Sequence, residues 1–367
     1  MNVRGQPTRT IWVTGEAVQI IDQTALPHDF VVRPLRTLAD AARAIATMQV
    51  RGAPLIGAAA AYGVWLAMRA DPSDDGLKAA CATLLATRPT AVNLRWALDT
   101  MTTTLAPLPP DARAAAARAR ADALADEDVA VNQAIGDHAL AVIRHLAEGR
   151  PRGTPLNVLT HCNAGWLATV DRGTALSGVY AAHDAGLPVH VWVDETRPRN
   201  QGAALTAWEL GQHGVPHTLI VDNAGGHLMQ RGQVDLVIVG TDRTTATGDV
   251  VNKIGTYLKA LAAYDCGVPF YVAAPSSSID WTLADGREVE IEQRAASEVV
   301  ALSGRGESGA IATVRLAPEG TPVANPGFDL TPARLVTGII TERGVAPATR
   351  QGLAALFPSQ ATERSGA

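Results

Sequence analysis

The stretch PLNVLTHCNAGWLAT, Pro155–Thr169, decides how this chain reads. It begins as a short apolar run, Leu156–Thr160, with a β-branched centre. It then breaks into His161-Cys162-Asn163-Ala164-Gly165, a turn-forming polar knot holding one cysteine. An apolar strand that ends in a polar loop and opens toward a helix is where open α/β sheets put ligands. Cys162, with polar neighbours and helix amides expected close by to stabilise a thiolate, is therefore a candidate for chemistry. The plain alternative is a buried turn cysteine.

Downstream of this stretch, the pattern is strand–helix–strand. Apolar β-rich runs recur at Val189–Val193, Thr218–Val221, Leu236–Val239 and Phe270–Ala273. Three junctions, Gly186-Leu187-Pro188, Gly214-Val215-Pro216 and Gly267-Val268-Pro269, share one device. Glycine ends a helix in the left-handed conformation, and proline two residues later prevents its continuation. Repeated units of this kind predict a doubly wound, mainly parallel Rossmann-like sheet over residues 149–349. The runs end in His161-Cys162-Asn163, Asp194-Glu195-Thr196, Asp222-Asn223, Gly240-Thr241-Asp242 and Ala274-Pro275-Ser276. In a parallel sheet these ends share one edge, which makes Cys162 and Asp242 plausible neighbours. Asp242 reads either as a helix cap or as a carboxylic acid kept protonated by apolar surroundings. Farther on, Val289–Ile291 and Ile311–Leu316 are expected as strands, Pro332–Arg343 as a closing helix, and 350–367 as a frayed tail.

Upstream, Glu148–Pro155 reads as a linker. Before it, Arg36–Glu148 is rich in Ala, Leu and Arg, with apolar residues at three- and four-residue spacing. The N-terminal part, 1–148, is therefore expected to be a helical domain, with a small hairpin within Thr10–Pro27.

Composition sets the bounds. The 367 residues are 47% hydrophobic and 18% charged, and the net charge of −5 argues against a general nucleic-acid binder. No apolar run of about 18 residues suggests a membrane span. Cys81, Cys162 and Cys266 form neither a disulfide framework nor a zinc site, which fits a reducing cytoplasm. Gly304-Arg305-Gly306-Glu307-Ser308-Gly309 has the spacing of a dinucleotide motif, but a strand-like segment follows it, so it reads as a loop.

Several segments are suited to an anion. Arg51-Gly52-Ala53-Pro54 precedes a helix, Asn200-Gln201-Gly202 precedes another, and Asn252-Lys253 opens a third. Arg88 is a further cation. Taken singly, each is most simply a solvated charge; together they point to phosphate. His161 either tunes Cys162 or bonds a turn.

RGAPLIGAAAAYG, RPTAVNL, THCNAGWLAT, SGVYAAHDAGLPVHVWVDETRPRNQGAALTAWEL and GDVVNKIGTY together resemble the methylthioribose-1-phosphate isomerase family. That family shares its fold with the regulatory subunits of the eukaryotic translation-initiation exchange factor. The resemblance spans about Arg36 to Val345. It implies a cofactor-free, homodimeric, cytoplasmic aldose–ketose isomerase of methionine salvage that acts on a small sugar phosphate, with no bound metal, nucleic acid or membrane. It places the catalytic pair on Cys162 and Asp242. Substrate contacts fall on Arg51, Gly52, Ala53, Arg88, Gln201, Asn252 and Lys253. The aspartate motif, commonly GADRI, here reads Gly240-Thr241-Asp242-Arg243-Thr244, and Arg95 replaces a commonly aromatic residue.

Two alternatives keep the same fold. One is an isomerase of 5-deoxyribose 1-phosphate or ribose 1,5-bisphosphate; a bisphosphate needs extra basic groups, and the motifs show no further cationic cluster. The other is a non-catalytic regulatory relative, which would not need both Cys162 and Asp242.

Overall fold

The computed structural model describes residues 1–89 and 91–363. Strands Ile11–Thr14 and Ala17–Ile21 form the expected hairpin, turning at Gly15, and Val32–Leu35 adds a third antiparallel strand. Five helices follow: α1 (Leu38–Ala46), α2 (Ala53–Ala70), α3 (Asp74–Leu85), α4 (Val92–Leu105) and α5 (Pro110–Ala147). α1 has a capping box in which Thr37 and Asp40 satisfy each other's backbone amides. α2 is the central helix of this bundle. By length and composition it passes for a membrane span, contrary to the sequence expectation, but 78% of the window is buried inside the fold. It is a core helix.

Beyond the 148–155 connection lies a seven-stranded sheet. Its order is Gly344–Ala346, Gly338–Thr341, Phe270–Ala273, Leu236–Val239, Leu156–Thr160, Val189–Asp194 and His217–Ile220. All neighbours run parallel except the terminal pair Gly338–Thr341 and Gly344–Ala346. Helices α6 (Ala175–Asp184), α7 (Ala207–His213), α8 (Ala224–Gln230) and α9 (Thr256–Cys266) connect the strands. Gly186, Gly214 and Gly267 all have positive φ, as the helix-ending device requires.

Three expectations fail in the last third. Pro332–Arg343 is not a helix; Gly338–Thr341 is a sheet strand in parallel register with Tyr271–Ala273. It is buried on both faces, so its apolar run shows no alternation to separate strand from helix. Val289–Ile291 is irregular and follows a 3₁₀ turn, Gly286–Glu288. The tail is not frayed over its described part. Thr349 caps the helix Arg350–Leu356, and Leu353 and Phe357 are fully buried. Four-residue spacing of two large apolar groups was the overlooked signal. Residues 364–367 of that tail lie outside the described residues. Of the 304–309 segment, Gly304 and Arg305 end the strand Ala301–Arg305, and the rest turns the chain into its antiparallel partner Ile311–Arg315.

α5 belongs to two cores. Ala117, Ala121, Leu124 and Ala125 pack in the helical bundle, whereas Ile135, Ala139 and Ile143 pack with α6 and the sheet. Its later part lies so close to α6 that a Cβ on Gly136 would fall 2.3 Å from Ser177 Oγ.

Candidate active site

The loops at the strands' carboxyl ends meet the N-terminus of α2 around one cavity. Arg51, Gly52, Ala53, Arg88, Cys162, Gln201, Asp242, Asn252 and Lys253 all line it. Each of these residues was named from the sequence.

The α2 terminus requires its glycine. Gly52 has φ +95, and a Cβ there would lie 2.5 Å from the Ala168 carbonyl oxygen. The chain thus closes tightly against the Trp166–Ala168 turn and presents the start of an 18-residue helix to the cavity. Its unbonded amides and dipole favour an anion. Arg51 is aimed by the cysteine loop itself, donating Nη1 to Asn163 Oδ1 at 2.5 Å and Nη2 to Asn163 O at 2.7 Å.

Cys162 sits at φ +65, an uncommon conformation for a non-glycine residue. Two threonines hold it there. Its amide donates to Thr196 Oγ1 at 2.8 Å, and its carbonyl accepts from Thr206 Oγ1 at 2.7 Å. Burial pushes the thiol's pKa up, while Arg51, Lys253 and the Asn163 amide oppose that rise. The helpful amide therefore belongs to the loop. The next helix in sequence, α6, begins only at Ala175, so its amides are not the ones beside Cys162 in the chain.

Asp242 is not a helix cap. It lies between strands Leu236–Val239 and Arg243–Thr245, and its amide donates to Val251 O at 3.0 Å. Burial raises its pKa, against the opposing pull of Lys253, Arg88 and Arg51. Lys253 is itself pushed down by burial; its ammonium donates to Gly327 O at 2.7 Å and lies 4.4 Å from the Phe328 ring centroid. Asn252 Nδ2 donates to Thr256 Oγ1, at the start of α9. Gln201 Oε1 is buried without a hydrogen-bond partner. The Nε of Arg88 is likewise unpartnered, with Glu292 3.5 Å from its Nη2.

Arg199, Arg243 and Arg294 also line the cavity, contrary to the expectation of no further cationic cluster. They carry carboxylates with them. Arg294 pairs with Glu292 and Glu298, Arg199 with Glu298, and Arg243 with Asp280. Burial opposes ionisation of Glu298, but its bonds from Arg294 and Arg199 hold it down to about 2. Arg294 was missed because it extends from the irregular 289–296 segment, where no strand end marks it.

Among the described residues, His161, Asp194 and Asp222 present possible metal ligands within 4.8 Å of one another. The donor set suits a cation poorly. Lys259 Nζ already lies 3.0 Å from Asp194 Oδ2, and both Asp222 oxygens accept from the Thr196 and Arg197 amides.

A model of the initiation factor 2 subunit family matches residues 49–348. Methylthioribose-1-phosphate isomerase of Rhodospirillum rubrum is 66% identical, covering 98% of this chain and 94% of its own length. The chain belongs to the methylthioribose-1-phosphate isomerase family. The Methylocella silvestris member is 64% identical over 97% of this chain and 98% of its own. The crystal structure of 5-methylthioribose 1-phosphate isomerase from Pyrococcus horikoshii matches with TM-score 0.83 and 41% identity, covering 96% of each chain. A crystal structure of translation initiation factor eIF-2B, subunit delta, from A. fulgidus matches at TM-score 0.81 and 39% identity, covering 96% of this chain and 100% of that one.

The two departures in Gly240–Thr244, Thr241 and Thr244, contact each other. Thr244 Oγ1 donates to Thr241 Oγ1 at 3.1 Å. Arg95 is exposed and does not line the cavity.

Proposed function

We propose that this protein converts 5-methylthioribose 1-phosphate into 5-methylthioribulose 1-phosphate, a step of methionine salvage, using Asp242 and Cys162. The observation that carries the proposal is the meeting of a half-buried carboxyl group and a half-buried thiol with Arg51, Arg88, Lys253 and the α2 terminus around one cavity.

Phosphate on the anomeric oxygen prevents the spontaneous opening available to a free hemiacetal. An acid must protonate the ring oxygen as the C1–O bond breaks. Asp242, whose pKa is raised by desolvation, supplies that proton. C1 is left electron-poor. In one route Cys162, deprotonated with help from Arg51 and Lys253, removes the C2 proton to form an enol phosphate. C1 then takes a proton as the C2 hydroxyl loses its own. In the other route hydride passes from C2 to C1, and Cys162 accepts the hydroxyl proton. Substantial solvent deuterium at C1 of product made in deuterated water excludes a pure hydride shift.

The helix terminus and guanidinium groups hold the phosphate in place and do no bond chemistry. Met48, Ile56, Val92, Val289 and Phe328 also line the cavity and supply apolar surface for the methylthio group. The extra arginines favour a second reading, ribose 1,5-bisphosphate, but Glu292, Glu298 and Asp280 offset their charge. Purified protein assayed without added metal or nucleotide tests the proposal. Turnover should be fastest on the methylthio sugar among the three pentose phosphates. No turnover on any of them would remove the isomerase reading, and preference for the bisphosphate would redirect it.

The reading extends to a cytoplasmic homodimer, supported by the resemblance and by three unpaired cysteines. It also divides the chain near residue 148, supported by the 148–155 connection between α5 and the sheet.

A further inference from the structure

His161 is almost wholly buried, yet it does not belong to the hydrogen-transfer chemistry above. Both of its ring nitrogens are engaged. Nε2 lies 2.8 Å from the Ile254 carbonyl oxygen, and Nδ1 lies 3.0 Å from Asp194 Oδ2. A carbonyl only accepts, so Nε2 carries hydrogen. One further proton completes the bond between Nδ1 and the carboxylate. Asp194, fully buried, also takes Lys259 Nζ at 3.0 Å.

The ring therefore spans two loops that each bring a key group to the cavity. On one side it is adjacent in sequence to Cys162; on the other it grips the residue after Lys253. Asp194 also anchors the cysteine loop through Thr196, whose Oγ1 donates to Asp194 O at 3.0 Å and accepts from the Cys162 amide. The fit of the second loop is tight: Gly255, at φ +102, would place a Cβ 3.0 Å from His161 Cε1. No bulkier residue could occupy that position without moving the ring or the loop.

We propose that His161 is a positioning residue whose imidazole, bonded to Asp194 and to the Ile254 carbonyl, fixes the cysteine loop relative to the lysine loop. It acts through Cys162 and Lys253: the ring lines the cavity, but both of its nitrogens are taken up by Asp194 and the Ile254 carbonyl. The proposal rests on the isomerase reading for its catalytic consequence, but its structural content does not.

Two conservative variants each keep one bond. Asparagine's Nδ2 superposes on Nδ1, so His161→Asn retains the Asp194 contact and loses the span to Ile254. Glutamine's Nε2 superposes on Nε2, so His161→Gln retains the span. Four quantities are measured for each: melting temperature, kcat and KM for methylthioribose 1-phosphate, and the rate of Cys162 alkylation by iodoacetamide, resolved by peptide mapping. H161Q is expected to keep kcat within about 5-fold of wild type, while H161N loses about 50-fold or more at a similar melting temperature. The Cys162 alkylation rate should shift in H161N and stay near wild type in H161Q.

Equal kcat and equal alkylation rates in the two variants would overturn the proposal, as would losses that simply follow melting temperature. If wild type itself shows no turnover, the isomerase reading fails, and the alkylation rates still decide the positioning role. If H161N does not fold, amide exchange at Ile254–Thr256 in H161Q decides. Protection at the wild-type level supports the clamp, and lost protection overturns it.

Discussion

At the scale of single residues, the site is a set of partly buried ionisable groups whose charged neighbours oppose the effect of desolvation. Cys162→Ser and Asp242→Asn should each fold, because the cysteine loop is held by backbone bonds to Thr196 and Thr206 and not by the sulfur. Each should lower kcat by about 10²–10⁴-fold, the range that proton-transfer groups supply. Near-normal turnover in either, in a coupled isomerase assay, would remove its role.

Glu209 makes a different prediction. It is fully buried, accepts from the Leu167 amide at 3.0 Å, and lies 2.9 Å from the Tyr180 hydroxyl. Burial raises its pKa from an ordinary 4.5 to about 7. A carboxyl whose folded pKa is raised stabilises the fold fully below the unfolded pKa and loses that contribution as pH rises through the folded one. Wild type should therefore lose on the order of 3 kcal/mol relative to Glu209→Gln between pH 4.5 and 7.5, read from urea melts. A pH-independent difference would contradict this. Cys162 and Asp242 were legible in the sequence because a parallel sheet gathers its strand ends. Asn163, Arg199 and Arg294 were not, since their roles depend on which loop faces which.

At the scale of elements, the strands Val189–Asp194, His217–Ile220 and Phe270–Ala273 were legible because each follows its own punctuation, a helix-ending glycine with proline two residues later. Gly338–Thr341 had none. It lies between an irregular stretch and a tight turn, and burial on both faces erases the alternation that marks a strand. The α2 terminus gives an element-level test. Gly52→Ala places a Cβ against the Ala168 carbonyl and forces a non-glycine residue to φ +95. The expected cost is about 1–3 kcal/mol of stability. KM for the sugar phosphate should rise about 10-fold or more, because the helix start moves away from the anion it faces. An unchanged KM would separate that terminus from phosphate binding.

At the scale of the whole molecule, the two halves of the cavity come from different parts of the chain: Arg51 and Arg88 from the helical bundle, Cys162 and Asp242 from the sheet edge. α5 runs through both surroundings without a break. Its 38 residues make a rod of about 57 Å. The sequence showed that these residues are helical, but a single continuous rod between two cores was hidden, because alanine-rich faces look alike in either. The rod acts as an axle that keeps the halves in phase. One alanine inserted between Asp126 and Val131 would turn Ile135, Ala139 and Ile143 by about 100° relative to Ala117 and Ala121. That single residue, touching neither cavity nor sheet, should abolish turnover. The same residue inserted beside exposed Gly153, past the end of the axle, should leave most of it. In this fold, catalytic geometry is stored partly as rotational phase along a helix.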